Sequence, residues 1–346
     1  MKAVILAGGL GTRLYPVTYE VPKAMVPIAN RPLLERVLAW FARSGVREVV
    51  LAVCYRPEAI RDYFQEGARF GVSIQYVTET EPLGTGGAVK NCAAFLDDRF
   101  VVLNGDILTS LDLSAMLDFH AHKRAAATIA AVAVQDPTRY GVVDSDGEGR
   151  VTRFVEKPPA GTMQDRYINA GIYVFEHALL QEMPPPPFSM ERDFFPHLLA
   201  GQSLLCSFRT EAYWVDVGTA ESYRQVHRDI LDGKLHVSLD GDERQPGLRV
   251  GEGSSISDGG AFTPPVLLGR NCRAEAQASL GPYCVLGDGV VIEKGAQVSD
   301  SVIWDRCVIG AEAAIRDSII GNDSSVKPQA AIIGQAIAER TGRDRC

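Results

Sequence analysis

The feature that most constrains this fold is a six-residue repeat near the end of the chain. Apolar residues recur from Val250 to Ile332 at steps of six, with a step of five inside two similar tetrapeptides, Asp300–Ile303 and Asp317–Ile320. A period of six cannot keep residues on one face of an α-helix, but it suits a parallel β-helix in which each flat side contributes one inward side chain. The in-phase positions are Val250, Ile256, Phe262, Leu268, Ala274, Leu280, Leu286, Ile292, Val298, Ile303, Ile309, Ile315, Ile320, Val326 and Ile332.

The chain before this repeat follows a different pattern, in which short apolar runs alternate with helical spacing. The run at residues 2–7 ends in glycines, and apolar residues then recur at helical spacing from Pro32 to Gly45. Such alternation predicts a mostly parallel sheet with helices on both faces. Asp146-Gly147 predicts a hairpin, and hence a mixed portion of the sheet. The expected division is an α/β domain at 1–232, a connector at 233–249, the β-helix at 250–333 and a tail at 334–346.

Composition disfavours several classes of protein. The 346 residues contain no apolar run of about 18, so we expect no membrane span. The 43 acidic residues outnumber the 35 basic ones, and the net charge of −8 disfavours nucleic-acid binding. Seven scattered cysteines without a C-x-x-C pair indicate reduced thiols and a cytoplasmic location, rather than a disulfide framework or a zinc site.

The first chemically informative segment is the glycine-rich loop that follows the first apolar run. It reads Ala7-Gly8-Gly9-Leu10-Gly11-Thr12-Arg13. The dinucleotide-binding fingerprint fails because Leu14 occupies its third glycine position, and no G-K-[ST] of an ATPase phosphate loop follows. Backbone amides in such a loop can nonetheless bind an anion, and Arg13 and Lys23 supply cations suited to phosphate oxygens.

Two carboxylates follow buried strands and are candidate metal ligands. Asp106 ends the segment Phe100–Asp106, and Asp216 lies in the apolar segment Tyr213–Gly218. Ligands bind at the carboxyl edge of open α/β sheets, where two such residues could hold Mg²⁺ together with substrate phosphate. The alternative is that each aspartate caps a helix.

Three further polar residues stand in or after predicted strands. Glu156 and Lys157 precede a proline, and Asn169 lies in an otherwise apolar strand. At the mouth of a sheet, Glu156 could accept sugar hydroxyl protons and Lys157 could neutralise a phosphate. The alternative for this charged pair is a solvated surface ion pair.

Other histidines, cysteines and a tryptophan are given structural roles. His120 and His122 lie two apart on a predicted helix, so they point to different sides and are expected at the surface. Cysteines 272, 284 and 307 are expected to pack inside the β-helix, and Trp304 follows a repeat position and is expected to serve an interface.

Taken together, the motifs resemble the sugar-1-phosphate nucleotidyltransferase family, and the resemblance covers nearly the whole chain. It is carried, in family order, by the segments 8–14, 22–23, 83–87, 104–106, 154–158, 169–171 and 214–218. It implies a Rossmann-like α/β domain with a mixed, mostly parallel sheet, followed by a left-handed parallel β-helix of hexapeptide repeats. Residues 81–85, 140–143 and 156–158 are most similar to the guanylyltransferase branch that uses mannose-1-phosphate. Ala24 departs from the proline usual in that branch but leaves Lys23 in place.

The resemblance also implies roles for individual residues. The nucleotide would contact Ala7, Gly8, Gly9, Gly11, Thr12, Arg13, Lys23, Gly84 and Thr85, and the sugar phosphate would contact Gly141, Glu156, Lys157 and Asn169. Asp106 and Asp216 would carry Mg²⁺, and with Arg13 and Lys23 they form the expected catalytic set.

The implied reaction is in-line attack of a sugar-1-phosphate on an NTP, which releases pyrophosphate. GTP with mannose-1-phosphate is the expected pair, and glucose-1-phosphate with dTTP, UTP or ATP is the alternative. A non-catalytic regulatory subunit is a further alternative, although the loop cations and both aspartates are present. An acyltransferase tail is disfavoured because the last histidine, His236, precedes the repeat. The flat sides of the β-helix favour a homo-oligomer.

Overall fold

The computed structural model describes residues 1–161, 166–201 and 203–338. The chain forms two compact units, one of residues 1–10 and 34–216, and the other of residues 11–33 together with the chain from Val217 onward. No helix in the described ranges is long and apolar enough to cross a membrane.

In the part of the chain before the β-helix, strands and helices alternate as the sequence pattern predicts. The strands are β1 (Lys2–Leu6), β2 (Pro27–Ile28), β3 (Arg31–Pro32), β4 (Glu48–Val53), β5 (Ser73–Thr78), β6 (Arg99–Asn104), β7 (Ile107–Thr109), β8 (Ala127–Ala133), β9 (Gly141–Ser145), β10 (Val151–Glu156), β11 (Tyr167–Glu176), β12 (Leu205–Thr210) and β13 (Trp214–Asp216). The helices are α1 (Leu33–Arg43), α2 (Pro57–Phe64), α3 (Gly84–Asn91), α4 (Leu113–Lys123), α5 (Leu179–Glu182), α6 (Phe195–Ala200) and α7 (Ala220–Leu231).

The main sheet of the first unit is mixed and mostly parallel, as predicted. Its order is β10–β9–β11–β6–β1–β4–β5, and β8 pairs with both β11 and β12. The strands β6, β1, β4 and β5 run parallel, while β11 is antiparallel to β6 and β8. The predicted hairpin is present, because β9 and β10 pair antiparallel around Asp146-Gly147. Because β1 and β6 pair in parallel, their carboxyl ends lie side by side.

The long strand β11 carries an irregularity at the predicted sugar-contacting segment. Its register with β8 shifts between Asn169 and Tyr173, and Gly171 between them has a φ of +70°. A Cβ on Gly171 would come within 2.7 Å of Asn104 Nδ2 at the end of β6. Glycine is therefore required both for the left-handed backbone and for the close approach of the two strands.

The second unit contains the β-helix that the six-residue period predicts. Its strands are β14 (Asp242–Gln245), β15 (Leu248–Val250), β16 (Ser255–Ile256), β17 (Ala261–Phe262), β18 (Val266–Leu268), β19 (Arg273–Ala274), β20 (Ser279–Leu280), β21 (Cys284–Leu286), β22 (Val291–Ile292), β23 (Gln297–Ser299), β24 (Val302–Ile303), β25 (Val308–Ile309), β26 (Ala314–Arg316), β27 (Ile319–Ile320), β28 (Ser325–Val326), β29 (Ala331–Ile333) and β30 (Ala336–Ile337). From β15 onward every third strand pairs in parallel, so the described coil has three flat sides.

The register of these sheets aligns the repeat positions across successive turns. On the first side, Leu268 pairs with Leu286, and Leu286 pairs with Ile303. The two predicted five-residue steps shorten a turn from 18 to 17 residues, and Asp300 and Asp317 adopt positive φ there. The apolar repeat positions from Leu268 to Val326 are buried and form one continuous core, whereas Ile256 near the start of the coil is 38% exposed.

The coil continues past the predicted end of the repeat. A further five-residue step leads from Ile332 to Ile337, and β30 pairs with β27 within the segment expected to be a tail. Gly334 has a φ of +66° at the position that Asp300 and Asp317 occupy in earlier turns. The step lacks the aspartate signature because glycine adopts the same backbone region. Residues 339–346 of the expected tail lie outside the described residues.

The prediction of a surface role for His120 is wrong. Its side chain is fully buried, with Nδ1 2.8 Å from Thr128 Oγ1 and Nε2 3.2 Å from Glu176 Oε1. Burial lowers the pKa of His120, which favours the neutral ring. The last turn of α4 packs against β8 and β11, and periodicity alone did not reveal that contact.

The expectation for the β-helix cysteines is confirmed. Cys272, Cys284 and Cys307 are buried, and each Sγ lies 3.0 Å from a backbone carbonyl oxygen of the next turn. Their thiols thus act as small core groups that satisfy a weak hydrogen bond. None of the six cysteines in the described ranges forms a disulfide.

Candidate active site

The glycine-rich loop begins at the carboxyl end of β1 in the first unit. The Ala7 amide donates to the Ala52 carbonyl oxygen at 2.8 Å, which extends the pairing of β1 with β4 by one residue. A Cβ on Gly8 would lie 3.2 Å from Cys54 Cβ, so the loop packs closely on the end of β4. Gly9 is exposed, and a Cβ there would meet no atom within 4 Å. The loop thus leaves the sheet edge with its backbone facing open space at Gly9.

A partly buried carboxylate that the sequence reasoning missed lies beside this loop. Glu79 follows β5, and its Oε2 accepts a hydrogen bond from the Leu83 amide at 3.3 Å. Its Oε1 lies 3.8 Å from the position that a Cβ on Gly8 would take. Burial raises the pKa of Glu79, and the Leu83 hydrogen bond opposes that shift. The only signal in the sequence was the position of Glu79, four residues before the segment 83–87 that carries part of the resemblance.

The second half of the loop lies in the second unit, where it contacts the predicted loop lysine. Gly11 has a φ of +66°, and a Cβ there would lie 3.2 Å from Lys23 Cβ and 3.3 Å from Thr18 Cγ2. The Thr18 hydroxyl donates to the Gly11 carbonyl oxygen at 2.8 Å. Lys23 is only 8% exposed, whereas Arg13 is exposed on the turn Thr12–Leu14. Lys23 therefore packs against the loop at Gly11, two residues before Arg13.

The predicted base-contacting segment begins α3. Gly84 has a φ of +75°, and a Cβ on it would lie 2.4 Å from the Phe188 carbonyl oxygen. That oxygen accepts hydrogen bonds from the Gly86 and Gly87 amides at 3.1 and 3.2 Å. Small residues are needed here because the backbone at Phe188 packs directly on the first turn of α3.

A chain of hydrogen bonds joins Thr85 to Asn169, although the sequence assigned them to different substrates. The Thr85 hydroxyl donates to Glu191 Oε2 at 2.8 Å. Glu191 Oε1 lies 3.5 Å from the Tyr173 hydroxyl, which accepts from Asn169 Nδ2 at 2.8 Å. Complete burial raises the pKa of Tyr173 well above its usual range, so the phenol keeps its proton. The tertiary structure thus couples the two predicted binding segments.

Glu191 and Tyr173 are the other residues of this group that sequence reasoning missed. Glu191 lies in the π-helical turn Met190–Phe194, where the Ser189 side chain accepts from the Glu191 and Arg192 amides. The available signal was a serine followed by acidic residues after the run of prolines. That signal predicts a helix start, but not a partner 106 residues away at Thr85.

The predicted sugar-contacting residues of the hairpin lie together. Gly141 pairs with Glu156 in the β9–β10 register, and a Cβ on Gly141 would lie 2.9 Å from Glu156 Oε2. Lys157 Nζ lies 3.6 Å from Glu156 Oε1, and its side chain is 57% exposed against 20% for Glu156. Burial and the negative charge of Glu191 raise the pKa of Glu156, while Lys157 opposes the shift. This pair is thus not a fully solvated surface ion pair, because its carboxylate is largely buried.

The two predicted metal ligands lie at neighbouring register positions of a small two-stranded sheet, Asp106 just before β7 and Asp216 at the end of β13. In the antiparallel register of β7 and β13, Asp216 pairs with Ile107, the residue that follows Asp106. The Gly105 amide donates to the Leu6 carbonyl oxygen at 3.0 Å, which ties Asp106 to the carboxyl end of β1. The Trp214 indole donates to the Ala170 carbonyl oxygen at 2.8 Å, which ties β13 to β11.

The alternative that these aspartates cap helices is excluded. The cap of α4 is Asp112, whose carboxylate accepts from the Ala115 amide, and the cap of α7 is Thr219. Asp106 precedes β7, and Asp216 ends β13. Neither carboxylate therefore caps a helix.

The donor set fits a magnesium ion that is completed by substrate. Asp106 and Asp216 supply carboxylate oxygens from paired strands, and Asn104 Oδ1 nearby on β6 is buried without a hydrogen-bond partner. Within the described ranges there is no group of three or more His, Cys, Asp or Glu residues that could hold a metal. Mg²⁺ commonly takes one or two carboxylates and fills its remaining positions with water and phosphate oxygens, so two aspartates suffice.

Two family models together match most of the chain. Residues 2–233 match the family model described as nucleotidyl transferase, and residues 262–341 match the model of the GMPPB C-terminal domain. The mannose-1-phosphate guanylyltransferase of Mycobacterium tuberculosis is 38% identical over 313 residues, which cover 88% of this chain and 83% of that protein. The UTP–glucose-1-phosphate uridylyltransferase of Synechocystis is 33% identical, covering 98% of this chain and 92% of that protein.

Solved structures resemble about two thirds of this chain. A crystal structure of HddC from Yersinia pseudotuberculosis complexed with GMP-PN has a TM-score of 0.57 at 34% identity, and covers 65% of this chain and 97% of that one. A putative glucose-1-phosphate thymidylyltransferase from Bacillus anthracis, at 23% identity and a TM-score of 0.62, shares the fold. On the family model and these relatives, the chain belongs to the nucleotidyl transferase family.

Proposed function

We propose that this enzyme transfers a guanylyl group from GTP to mannose-1-phosphate, producing GDP-mannose and pyrophosphate. The observation that carries the proposal is the pairing of β7 with β13, which places Asp216 opposite Ile107, the residue after Asp106, near the carboxyl ends of β1 and β6. The mannose-1-phosphate guanylyltransferases among the relatives support the choice of substrates.

In the proposed reaction, an oxygen of the sugar-1-phosphate forms a bond to the α-phosphorus of GTP. The bond from that phosphorus to the bridging oxygen breaks, and pyrophosphate leaves. The attacking phosphate is already ionised at neutral pH, so the step needs no general base. The barrier is charge repulsion and misalignment, which cations and fixed positioning lower.

The glycine-rich loop would bind the nucleotide phosphates. Gly8, Gly9 and Gly11 present backbone without side chains, and Arg13 and Lys23 would neutralise the phosphate chain. Lys23 is suited to this task because its buried stem restricts the ammonium group to few positions. Ala7 and Thr12 would contribute backbone and hydroxyl contacts in the same loop, and Gly84 and Thr85 would lie beside the base.

Asp106 and Asp216 would hold Mg²⁺, which supplies positive charge to the transferring phosphoryl group when it is bound. Glu156 would accept hydrogen bonds from sugar hydroxyls, Asn169 would donate hydrogen bonds to them, and Gly141 would contact the sugar through its backbone. Lys157, exposed at the end of β10, would bind the sugar 1-phosphate.

The test is pyrophosphate release with Mg²⁺ across a grid of substrates. GTP, ATP, UTP and dTTP are each paired with mannose-, glucose- and N-acetylglucosamine-1-phosphate. A dominant rate for GTP with mannose-1-phosphate is expected. A dominant rate elsewhere in the grid would overturn the substrate pair and keep the reaction, whereas no rate from folded protein would overturn both.

A second candidate is uridylyl transfer from UTP to glucose-1-phosphate. It is favoured by the Synechocystis relative, whose match spans nearly this whole chain. The same grid separates it from the first, because the two candidates share neither base nor sugar.

We further propose that the enzyme is a cytoplasmic homo-oligomer that associates through its β-helix. The absence of disulfides among the described cysteines supports a reducing compartment, and the flat sides of the coil support stacking. For the division of the chain we propose a catalytic domain at residues 1–232, a connector from residue 233 and a β-helix that continues to β30, and the family match to residues 2–233 supports the first boundary. Light scattering that shows only monomer would contradict the oligomer.

A further inference from the structure

Lys23 is followed directly by a small hairpin that belongs to the second unit. The Val26 amide donates to the Lys23 carbonyl oxygen at 3.2 Å, and the Leu33 amide donates to the Val26 carbonyl oxygen at 2.9 Å. Between them, β2 and β3 pair antiparallel around a turn of two residues with positive φ, Ala29 and Asn30. The position of Lys23 is therefore linked to the position of this hairpin, residues 27–32.

The hairpin is held by a buried hydrogen-bond chain from α7 and the β-helix. The Tyr223 hydroxyl on α7 donates to the Pro27 carbonyl oxygen at 2.5 Å. The same hydroxyl accepts a hydrogen bond from the Trp304 indole at 2.9 Å. Tyr223 and Trp304 are each 1% exposed, so water does not replace these bonds and their loss is costly.

Two further contacts fix the rest of the hairpin to the same unit. Asn30 Nδ2 donates to the Leu286 carbonyl oxygen on the β-helix at 2.7 Å. The Arg31 guanidinium forms a two-point ion pair with the Asp240 carboxylate.

The helix that carries Tyr223 is itself attached to the coil. Arg228 binds the Asp300 and Asp317 carboxylates at 2.8 and 3.2 Å, at the corners where the turns of the β-helix shorten. The outward-facing Trp304 is buried because Tyr223 and its helix cover it. The interface expected for Trp304 thus lies within this chain.

We propose that Tyr223, supported by Trp304, is a positioning residue that sets Lys23 for the nucleotide phosphates. This inference rests on the proposed function. Packing alone does not explain the Tyr223 hydroxyl, since phenylalanine would fill the same space. In this dry environment the hydroxyl must find hydrogen-bond partners. Complete burial raises the pKa of Tyr223 well above its usual range, so the phenol remains able to donate to Pro27.

The test compares Tyr223→Phe with Tyr283→Phe. Each substitution removes one phenolic hydroxyl from the same unit, but the Tyr283 hydroxyl binds Asp232 at 2.9 Å on the surface and does not touch the hairpin. Tyr223→Phe is expected to raise the KM for the nucleotide about three- to tenfold, the range for one lost buried hydrogen bond. The KM for the sugar phosphate should be unchanged, and Tyr283→Phe should match the wild type in both.

Trp304→Phe provides a second route to the same effect, because it removes the indole donor and keeps an aromatic ring. Hydrogen exchange of peptides that cover residues 23–32 should accelerate in both Tyr223→Phe and Trp304→Phe. In a Lys23→Ala background, Tyr223→Phe should add no further increase in the nucleotide KM.

The inference is overturned if the wild-type enzyme is active and Tyr223→Phe and Tyr283→Phe have the same KM for the nucleotide. Equal effects of Tyr223→Phe on both substrates, or an undiminished effect without Lys23, would overturn it as well, since they indicate general loosening. Failure of the proposed function is distinct, because the wild type itself would then release no pyrophosphate.

Discussion

The edge of the mixed sheet and the β-helix use their side chains in opposite ways. At the sheet edge, polar residues from distant parts of the chain meet, as Thr85 and Glu191 do at 2.8 Å across 106 residues. In the β-helix, partners are separated by one turn, and Leu268, Leu286 and Ile303 repeat the same apolar contact. One region therefore concentrates polar contacts at irregular positions, and the other repeats apolar contacts at equivalent positions.

The hairpin at residues 27–32 qualifies this contrast. It carries the segment of Lys23, yet its anchors are Tyr223, Leu286 and Asp240 of the second unit. The β-helix unit thus contributes to the proposed chemistry through position, while its repeated core contributes stability. Four substitutions separate these contributions.

The largest effect is expected for Asp106→Asn. Removing one negative ligand should lower turnover by about 10³-fold or more, because the charge that would hold the metal is lost while the strand pairing remains. The rate of pyrophosphate release and the urea midpoint measure the two properties. Asp112→Asn is the control, since asparagine caps α4 about as well as aspartate. A near-normal rate for Asp106→Asn would contradict the metal assignment.

Ile309→Ala tests the opposite side of the comparison. Ile309 is fully buried between Ile292 and Val326 of adjacent turns, so its truncation should lower the free energy of unfolding by about 2–5 kcal/mol. The folded fraction should keep its turnover. Ile333→Ala, at a residue that is 60% exposed, should change stability by less than about 0.5 kcal/mol. Equal urea midpoints for the two variants would show that the repeat core does not carry this stability.

Lys157→Ala should act on one substrate only. Loss of the ammonium group should raise the KM for the sugar phosphate about tenfold or more, as expected for a charge-assisted hydrogen bond, and leave the nucleotide KM unchanged. Lys123→Ala is the matched control, because Lys123 binds Glu148 at 2.9 Å on an exposed face. An unchanged sugar-phosphate KM in Lys157→Ala would refute the assignment.

The smallest effect is a pH dependence at Glu156. Because its folded-state pKa is raised above the ordinary value of 4.5, the folded protein holds this proton more tightly than the unfolded chain. Its contribution to stability is complete below pH 4.5 and is lost as the pH rises through the raised pKa. Urea unfolding from pH 4 to 7 should therefore show Glu156→Gln gaining stability relative to wild type as the pH rises. Glu148→Gln, at an 86% exposed side chain, should follow the wild type, and parallel curves for Glu156→Gln would contradict the burial argument.

Much of this molecule could be predicted from the sequence where the governing contacts are local or periodic. The six-residue repeat predicted the inward positions of the coil, including both short steps, because parallel pairing between turns repeats at fixed separations. The repeat pattern did not predict β30, because Gly334 stands at the position that Asp300 and Asp317 occupy in earlier turns. The strand–helix alternation likewise predicted the mixed sheet, and Asp146-Gly147 predicted the β9–β10 hairpin.

The partners within the candidate site depended on tertiary structure. His120 was expected at the surface, but its environment is set by β8 and β11, which helical spacing does not describe. Glu191 and Tyr173 carry no motif, yet they join two predicted binding segments. The sequence by itself thus determined the two architectures and the residue types at the strand ends, because local periodicity and backbone preference act over a few residues. Only the tertiary structure decided which of those residues meet, since their contacts depend on packing between segments about a hundred residues apart.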